Sequence, residues 1–182
     1  RAPFFSQGAF LNSTTSNATN PDAVNEKIFS AELGYGFRSR FLTANLNVYH
    51  TKWMDKTMSK GIEVVDDNKV FIDRVSLNLS GVAAIHQGIE LDFVAKPLHW
   101  LDITGMFSIG NWRWDSTAKG YFYDSTSQPV ASWSGKTGIV HASGIQAEDH
   151  ASMTVILDKT KVGDSAQTTA ALGADVKVSK DF

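Results

Sequence analysis

The chain has no cysteine. Disulfides, thiolate metal sites and a cysteine nucleophile are therefore excluded. No stretch approaches the run of about 20 apolar residues that a transmembrane helix needs. That absence excludes helical spans only, because the strands of a membrane barrel alternate apolar and polar residues and score weakly on hydropathy. No charge sign dominates: 17 Lys and Arg face 19 Asp and Glu, a net charge of −2. The basic footprint of a nucleic-acid partner is thus missing. Sustained periodicity of 3.6 residues with caps at both ends is missing as well, which argues against helices.

What is present is alternation of period two, in five runs. In Lys27–Arg38, Phe29, Ala31, Leu33, Tyr35 and Phe37 share a face against Ser30, Glu32, Gly34 and Gly36. In Phe41–Trp53, Leu42, Ala44, Leu46 and Val48 oppose Thr43, Asn45, Asn47, Tyr49 and Thr51. Only Ser39-Arg40 separates these two, which is hairpin spacing. In His86–Ala95, Ile89, Leu91, Phe93 and Ala95 oppose His86, Gly88, Glu90 and Asp92. After Lys96-Pro97-Leu98-His99, which reads as a turn, the run Trp100–Trp114 sets Leu101, Ile103, Phe107 and Ile109 against Asp102, Thr104, Met106, Ser108 and Gly110. The last run is Thr168–Val178. Expected strands are 27–38, 41–54, 85–96, 100–114 and 167–179. Long polar segments at about 6–26, 55–81 and 117–166 separate them, although Lys69–Leu79 and Met153–Leu157 alternate well enough to be strands too.

The two faces differ in kind. A soluble sandwich would carry Lys and Glu on its wet face. Here that face is Ser, Thr, Asn and Gly with a few acids, which suits a packed, wet lumen. The runs match the roughly 9–11 tilted residues that cross a bilayer. Aromatics stand near run ends (Phe29, Tyr35, Phe37, Trp53, Trp100, Trp112 and Trp114), as in an interfacial girdle. Short turns alternating with long loops fit periplasmic turns and extracellular loops. The expected class is all-β: an antiparallel up-and-down transmembrane β-barrel segment of about five long strands plus long extracellular loops. Periodicity alone leaves a soluble β-sandwich or lipocalin-like barrel open.

Specific strings carry a family resemblance. Asn25-Glu26-Lys27-Ile28-Phe29-Ser30-Ala31-Glu32-Leu33-Gly34-Tyr35-Gly36 resembles a strand of TonB-dependent receptor barrels. His86-Gln87-Gly88-Ile89-Glu90-Leu91-Asp92-Phe93 is similar to a recurrent strand of that family, and Trp100–Trp112 to the partner that follows it. Arg1-Ala2-Pro3-Phe4-Phe5 is similar to the end of an upward strand before an extracellular loop. The style is closest to receptors of Bacteroidetes, and the strings cover about half the chain in the family's order. The resemblance implies that residues 1–182 are part of a receptor barrel, without its plug domain and TonB box. It implies TonB-energised uptake of a siderophore, haem, cobalamin, glycan or peptide at the outer membrane, with no enzymatic step, no cofactor and no resident metal. The implied partners are outer-membrane lipid, the rest of the barrel and plug, the TonB complex through an N-terminal part, and a surface lipoprotein; nucleic acid is not among them. Such barrels have about 22 strands, so five need completion by residues outside this chain. The opening residues, with no initiator Met and no signal peptide pattern, read as internal to a longer protein. The terminal Phe182, an assembly signal in outer-membrane proteins, reads as coincidence here. A soluble all-β ligand- or carbohydrate-binding domain and a non-transporting structural or adhesive barrel are the alternatives.

Candidate chemistry is sparse. Glu90 and Asp92, two apart on the polar face, read as charges paired with Lys or Arg of neighbouring strands. His141, Glu148, Asp149 and His150 match no compact metal motif. No GxSxG elbow occurs, and Gly135-Lys136-Thr137 lacks the upstream half of a P-loop. Asn12, Asn17 and Asn78 open N-x-S/T triplets. The aromatic group Trp112, Trp114, Tyr121, Phe122 and Tyr123 has two readings. One is an interfacial girdle with loop packing; the other is a stacking surface for a sugar, haem or siderophore. The residues expected to touch ligand are Trp112, Trp114, Tyr121 and Tyr123.

Overall fold

Alternating sequences of this kind bury one face of a pleated strand, and every regular element among the described residues is a strand. The computed structural model describes residues 10–11, 18–163 and 165–178. The strands are β1 (Lys27–Arg38), β2 (Leu42–Val65), β3 (Phe71–Leu98), β4 (Leu101–Trp114), β5 (Thr117–Tyr123), β6 (Val130–Ser134), β7 (Gly138–His141), β8 (Ser152–Ile156) and β9 (Thr168–Val176). Arg1–Phe5, Asn12, Asn17 and Phe182 lie outside the described residues. The chain divides into two compact units.

One unit comprises Phe29–Lys52, Ala84–Arg113 and the described part of 161–182. In it β1, β2, β3, β4 and β9 pair in that order, so chain neighbours are sheet neighbours and β9 closes on β4. The β4–β9 ladder is antiparallel, from Leu101↔Val176 to Ile109↔Thr168. Ser39 closes the first hairpin: its N–H donates to the Leu42 carbonyl at 2.7 Å, and its Oγ accepts the Leu42 N–H at 3.1 Å. The next turn falls at His99–Trp100 rather than at Lys96–His99, and β3 runs through Pro97.

The polar face of this sheet is knitted together. Asn45 Nδ2 donates to Asp92 Oδ2 at 2.7 Å. Ser30 and Thr51 hydroxyls meet at 2.8 Å. Asp102 takes Lys177 at 3.2 Å and Lys96 at 3.9 Å. Asp92 therefore has an amide partner where the sequence suggested a cation; the lysines gather at Asp102. The other face is apolar and largely uncovered. Leu33 is 75% exposed and Leu172 78%, with Leu46, Val48, Ile89, Phe107 and Ile109 exposed as well. Every residue of β1 and β9 is exposed. Phe93 folds over Gly105, filling the place a side chain would occupy. An aromatic covering a strand glycine restores contact that the glycine lacks.

The other unit comprises Trp53–Ala83, Trp114–Thr160 and the described part of 1–28. Here the long polar segment expected at 55–81 proves to be mostly strand, and the one at 117–166 carries four short strands. β2 continues to Val65 and β3 begins at Phe71. Asp66 makes the turn between them: its Oδ1 accepts the N–H groups of Asn68 and Val70, each at 2.8 Å. An Asx turn needs no glycine, so the segment lacked the usual hairpin punctuation. β3 also pairs with β5, and β5 with β8, while β6 and β7 form a separate hairpin. The core holds Val64, Val75, Leu77, Leu79, Val82, Ala118, Phe122 and Val130. Trp114, Trp133, Ile139 and Val155 pack against it.

Candidate ligand-binding cleft

Alternation in β3 and β5 separates this unit's core from its cleft. The two strands pair with Ser76↔Tyr123, Leu77↔Phe122, Asn78↔Tyr121 and Leu79↔Gly120 in register. Leu77, Leu79 and Phe122 go into the core. Asn78, Ser80, Lys119, Tyr121 and Tyr123, on the opposite parity, line a cleft of about 330 Å³. Asn20 and Asp22 form a second wall and Ile145–Ala147 a third. Gly120 permits the close approach of the strands: a Cβ there would lie 2.6 Å from the Asn78 carbonyl oxygen and 2.8 Å from Leu77 and Leu79.

The walls are tied to one another. Asn78 is buried, and its Nδ2 donates to the Leu11 carbonyl at 2.7 Å. Asn20, also buried, accepts the Asp22 N–H on its Oδ1 at 3.0 Å. His150 spans from the third wall to β5. Its Nδ1 lies 2.7 Å from the Ile145 carbonyl oxygen and its Nε2 2.8 Å from that of Phe122. A neutral ring donates to one of these carbonyls, a protonated ring to both. His150 also leans on Tyr121, with centroids 4.9 Å apart, and meets Tyr123 edge-on at 5.0 Å. Lys119 Nζ stands 5.0 Å from the Tyr121 centroid. Burial, with help from Asp22 and Tyr121, pushes the Tyr123 phenol up to about 12, so it stays a neutral hydroxyl.

The four residues expected to touch ligand part company. Tyr121 and Tyr123 line the cleft together. Trp114 is held by its backbone to Thr160 and Lys159, and its side chain packs against the core. Trp112 belongs to the five-stranded unit, where its indole N–H donates to the Tyr49 hydroxyl at 2.9 Å and His86 meets its ring edge-on. The sequence singled out Asn78 only as the start of an N-x-S/T triplet and passed over Ser80 and Lys119, although the Val75/Leu77/Leu79 alternation marked Asn78 and Ser80 as the uncovered face. Nothing local singles out Asn20, Asp22 or Gln146.

His141, Asp149 and His150 of this loop, and Asp124 before it, have structural partners. Asp124 is buried and accepts from Thr126, Gln128 and His141, the last at 2.9 Å. Burial alone would raise its pKa. The hydrogen bonds from Gln128, His141 and Thr126 outweigh that and hold it below the usual carboxylate value. Asp149 accepts from the Ser143 N–H and hydroxyl. Among the described residues, no three His, Asp or Glu side chains converge as metal ligands. Gly135-Lys136-Thr137 is the β6–β7 turn. Asn78, with its amide buried and engaged, has no room for a glycan.

No protein-family model, no curated protein and no solved structure matches the chain.

Proposed function

We propose that the chain is a stretch of the transmembrane β-barrel of a TonB-dependent outer-membrane receptor, and that its cleft-bearing unit faces the ligand. The observation that carries this reading is the five-stranded sheet: hydrogen-bonded polar groups on one face, exposed apolar side chains on the other. In water each uncovered Leu, Ile, Val or Phe forgoes about 1.5–3 kcal/mol of burial. Lipid removes that penalty, and a wet lumen suits the Asn, Thr and Asp face. The sheet path ends at β1 and β9. Edges of that kind are not tolerated in lipid, so strands outside this chain pair with both. The family strings of the sequence support the same reading.

On this reading the ligand, a scarce nutrient of the siderophore, haem, cobalamin, glycan or peptide classes, is captured at the cell surface. TonB-coupled movement of a plug admits it, and no covalent step is required. Both the plug and the TonB contact belong to parts of the protein outside this chain. Membrane fractionation of cells making the full-length protein tests the localisation. Recovery in the outer membrane, resistant to carbonate extraction, is expected; recovery in the soluble periplasmic fraction would overturn it in favour of a soluble all-β binding protein.

A further inference from the structure

We infer that the cleft of the core-bearing unit binds a neutral polyhydroxylated ligand, a mono- or disaccharide. The inference deepens the receptor reading and rests on it for the ligand's route, but not for the chemistry of the cleft.

Size comes first. A volume of about 330 Å³ stands at the small end of the roughly 300–1,000 Å³ typical of small-molecule sites. It suits one or two sugar rings and is too small to enclose a macrocycle such as haem or cobalamin. The cleft's apolar wall is made by Ile145, Ala147 and the tyrosine rings, and the polar groups match it in extent.

Charge comes second. One carboxylate, Asp22, and one ammonium, Lys119, line the cleft. They cancel, so neither a phosphate nor a polycarboxylate chelator meets a net positive field. The remaining polar groups are the amides of Asn20, Asn78 and Gln146 and the Ser80 hydroxyl. Asn78 Nδ2 and Asn20 Oδ1 are committed to Leu11 and Asp22, so the exposed Gln146 amide is the group that presents a donor and an acceptor side by side, next to the Ser80 hydroxyl. A sugar hydroxyl donates and accepts at once, so it is matched by such a mixed wall and mismatched by a wall of one kind.

The aromatic component works differently from a stacking platform. Lys119 stands over the Tyr121 ring and His150 leans against it. The ring is therefore engaged by the protein, and Tyr121 reaches ligand through its hydroxyl. Tyr123 is held as a neutral hydroxyl beside it. Recognition is by directional hydrogen bonds on a preformed frame. Asn78 is anchored to Leu11, Asn20 to the Asp22 backbone, and the Ile145 wall to β5 through His150.

The test uses the full-length protein in detergent micelles on a printed array of neutral mono- and disaccharides, with glycylglycine and inorganic phosphate as competitors. Binding of at least one saccharide, undisturbed by either competitor, is expected. Asp22 and Gln146 are exposed at the cleft, so Asp22→Ala and Gln146→Ala leave the fold intact. Each should weaken the captured saccharide about tenfold, as for a lost hydrogen bond to a charged or amide partner. Absence of any saccharide binding would overturn the inference. So would displacement by glycylglycine, which marks a zwitterion site on Asp22 and Lys119, or binding that both variants leave unchanged. These failures leave the receptor reading standing if the protein fractionates with the outer membrane. Saccharide binding by a protein found in the soluble fraction would sink that reading and keep this one.

Discussion

The Trp112 indole N–H donates to the Tyr49 hydroxyl at 2.9 Å, directly above Gly88. The three residues come from β4, β2 and β3, so one contact ties three strands on the polar face. A Cβ on Gly88 would stand 2.5 Å from the Ile109 carbonyl oxygen and 2.7 Å from the Tyr49 hydroxyl. Backbone on one side and a hydrogen-bonded ring on the other leave no room to yield. Gly88→Ala is therefore expected to destabilise the sheet by about 1–3 kcal/mol through overpacking. Tyr49→Phe keeps the ring and removes the acceptor, at about 1 kcal/mol. Thermal unfolding in detergent, followed by circular dichroism and Trp fluorescence, checks both. Equal melting of Gly88→Ala and wild type would show that the strands are not packed as described.

The two faces of β9 make a sharper test of the membrane reading. Leu172 is on the uncovered apolar face and Ala171 on the polar one. If lipid covers the first, Leu172→Arg should cost up to about 2–4 kcal/mol near the bilayer midplane, whereas an arginine facing a lumen costs far less. Outer-membrane levels should fall for Leu172→Arg and hold for Ala171→Ser. Normal assembly of Leu172→Arg would remove lipid from that face.

The same contrast shows what was legible in the sequence. The five-stranded unit was readable because each strand keeps one apolar and one polar face over nine or more residues. The hairpin at 66–70 was not, because Asp66 replaces the Gly that usually marks such turns. β5 hid for a different reason. Its core face is Ala118, Gly120 and Phe122, and two of those three carry almost no hydrophobic signal. Tyr121 and Tyr123 stood out as aromatics. Their partners Asn20, Asp22 and Gln146 are distant in sequence and are gathered only by the fold. Trp112 and Trp114 are two residues apart on β4 yet serve different units, since the boundary between the units falls between Arg113 and Trp114.

Gly120 is the local condition for the cleft. Its missing side chain lets β5 approach Asn78 and both flanking leucines. Gly120→Ala must push β5 off β3 or distort the Leu77–Leu79 segment, with about 1–3 kcal/mol lost. Hydrogen–deuterium exchange over residues 117–123 and 76–80 should rise together, while exchange over 42–50 stays unchanged. A rise confined to neither pair of segments would contradict the register.

Asp124 predicts a pH dependence. Its folded pKa is depressed below 3.8, since donors from Gln128, His141 and Thr126 favour the ionised form more than burial opposes it. A depressed carboxylate contributes stability above its unfolded value of about 3.9, and that stability fades as pH falls through the folded pKa. Asp124→Asn can keep its Oδ1 as acceptor for the Thr126 and Gln128 N–H groups but puts an NH2 where Oδ2 accepts from His141 Nε2 and the Thr126 hydroxyl, which costs about 1–3 kcal/mol at neutral pH. Exchange across residues 124–141 should therefore be faster in the variant at pH 7. The gap between variant and wild type should begin to narrow as pH drops below about 4, the unfolded value, and close only as pH falls through the lower folded pKa. A gap that stays constant down to pH 2.5 would mean that the charge on Asp124 does not hold this loop.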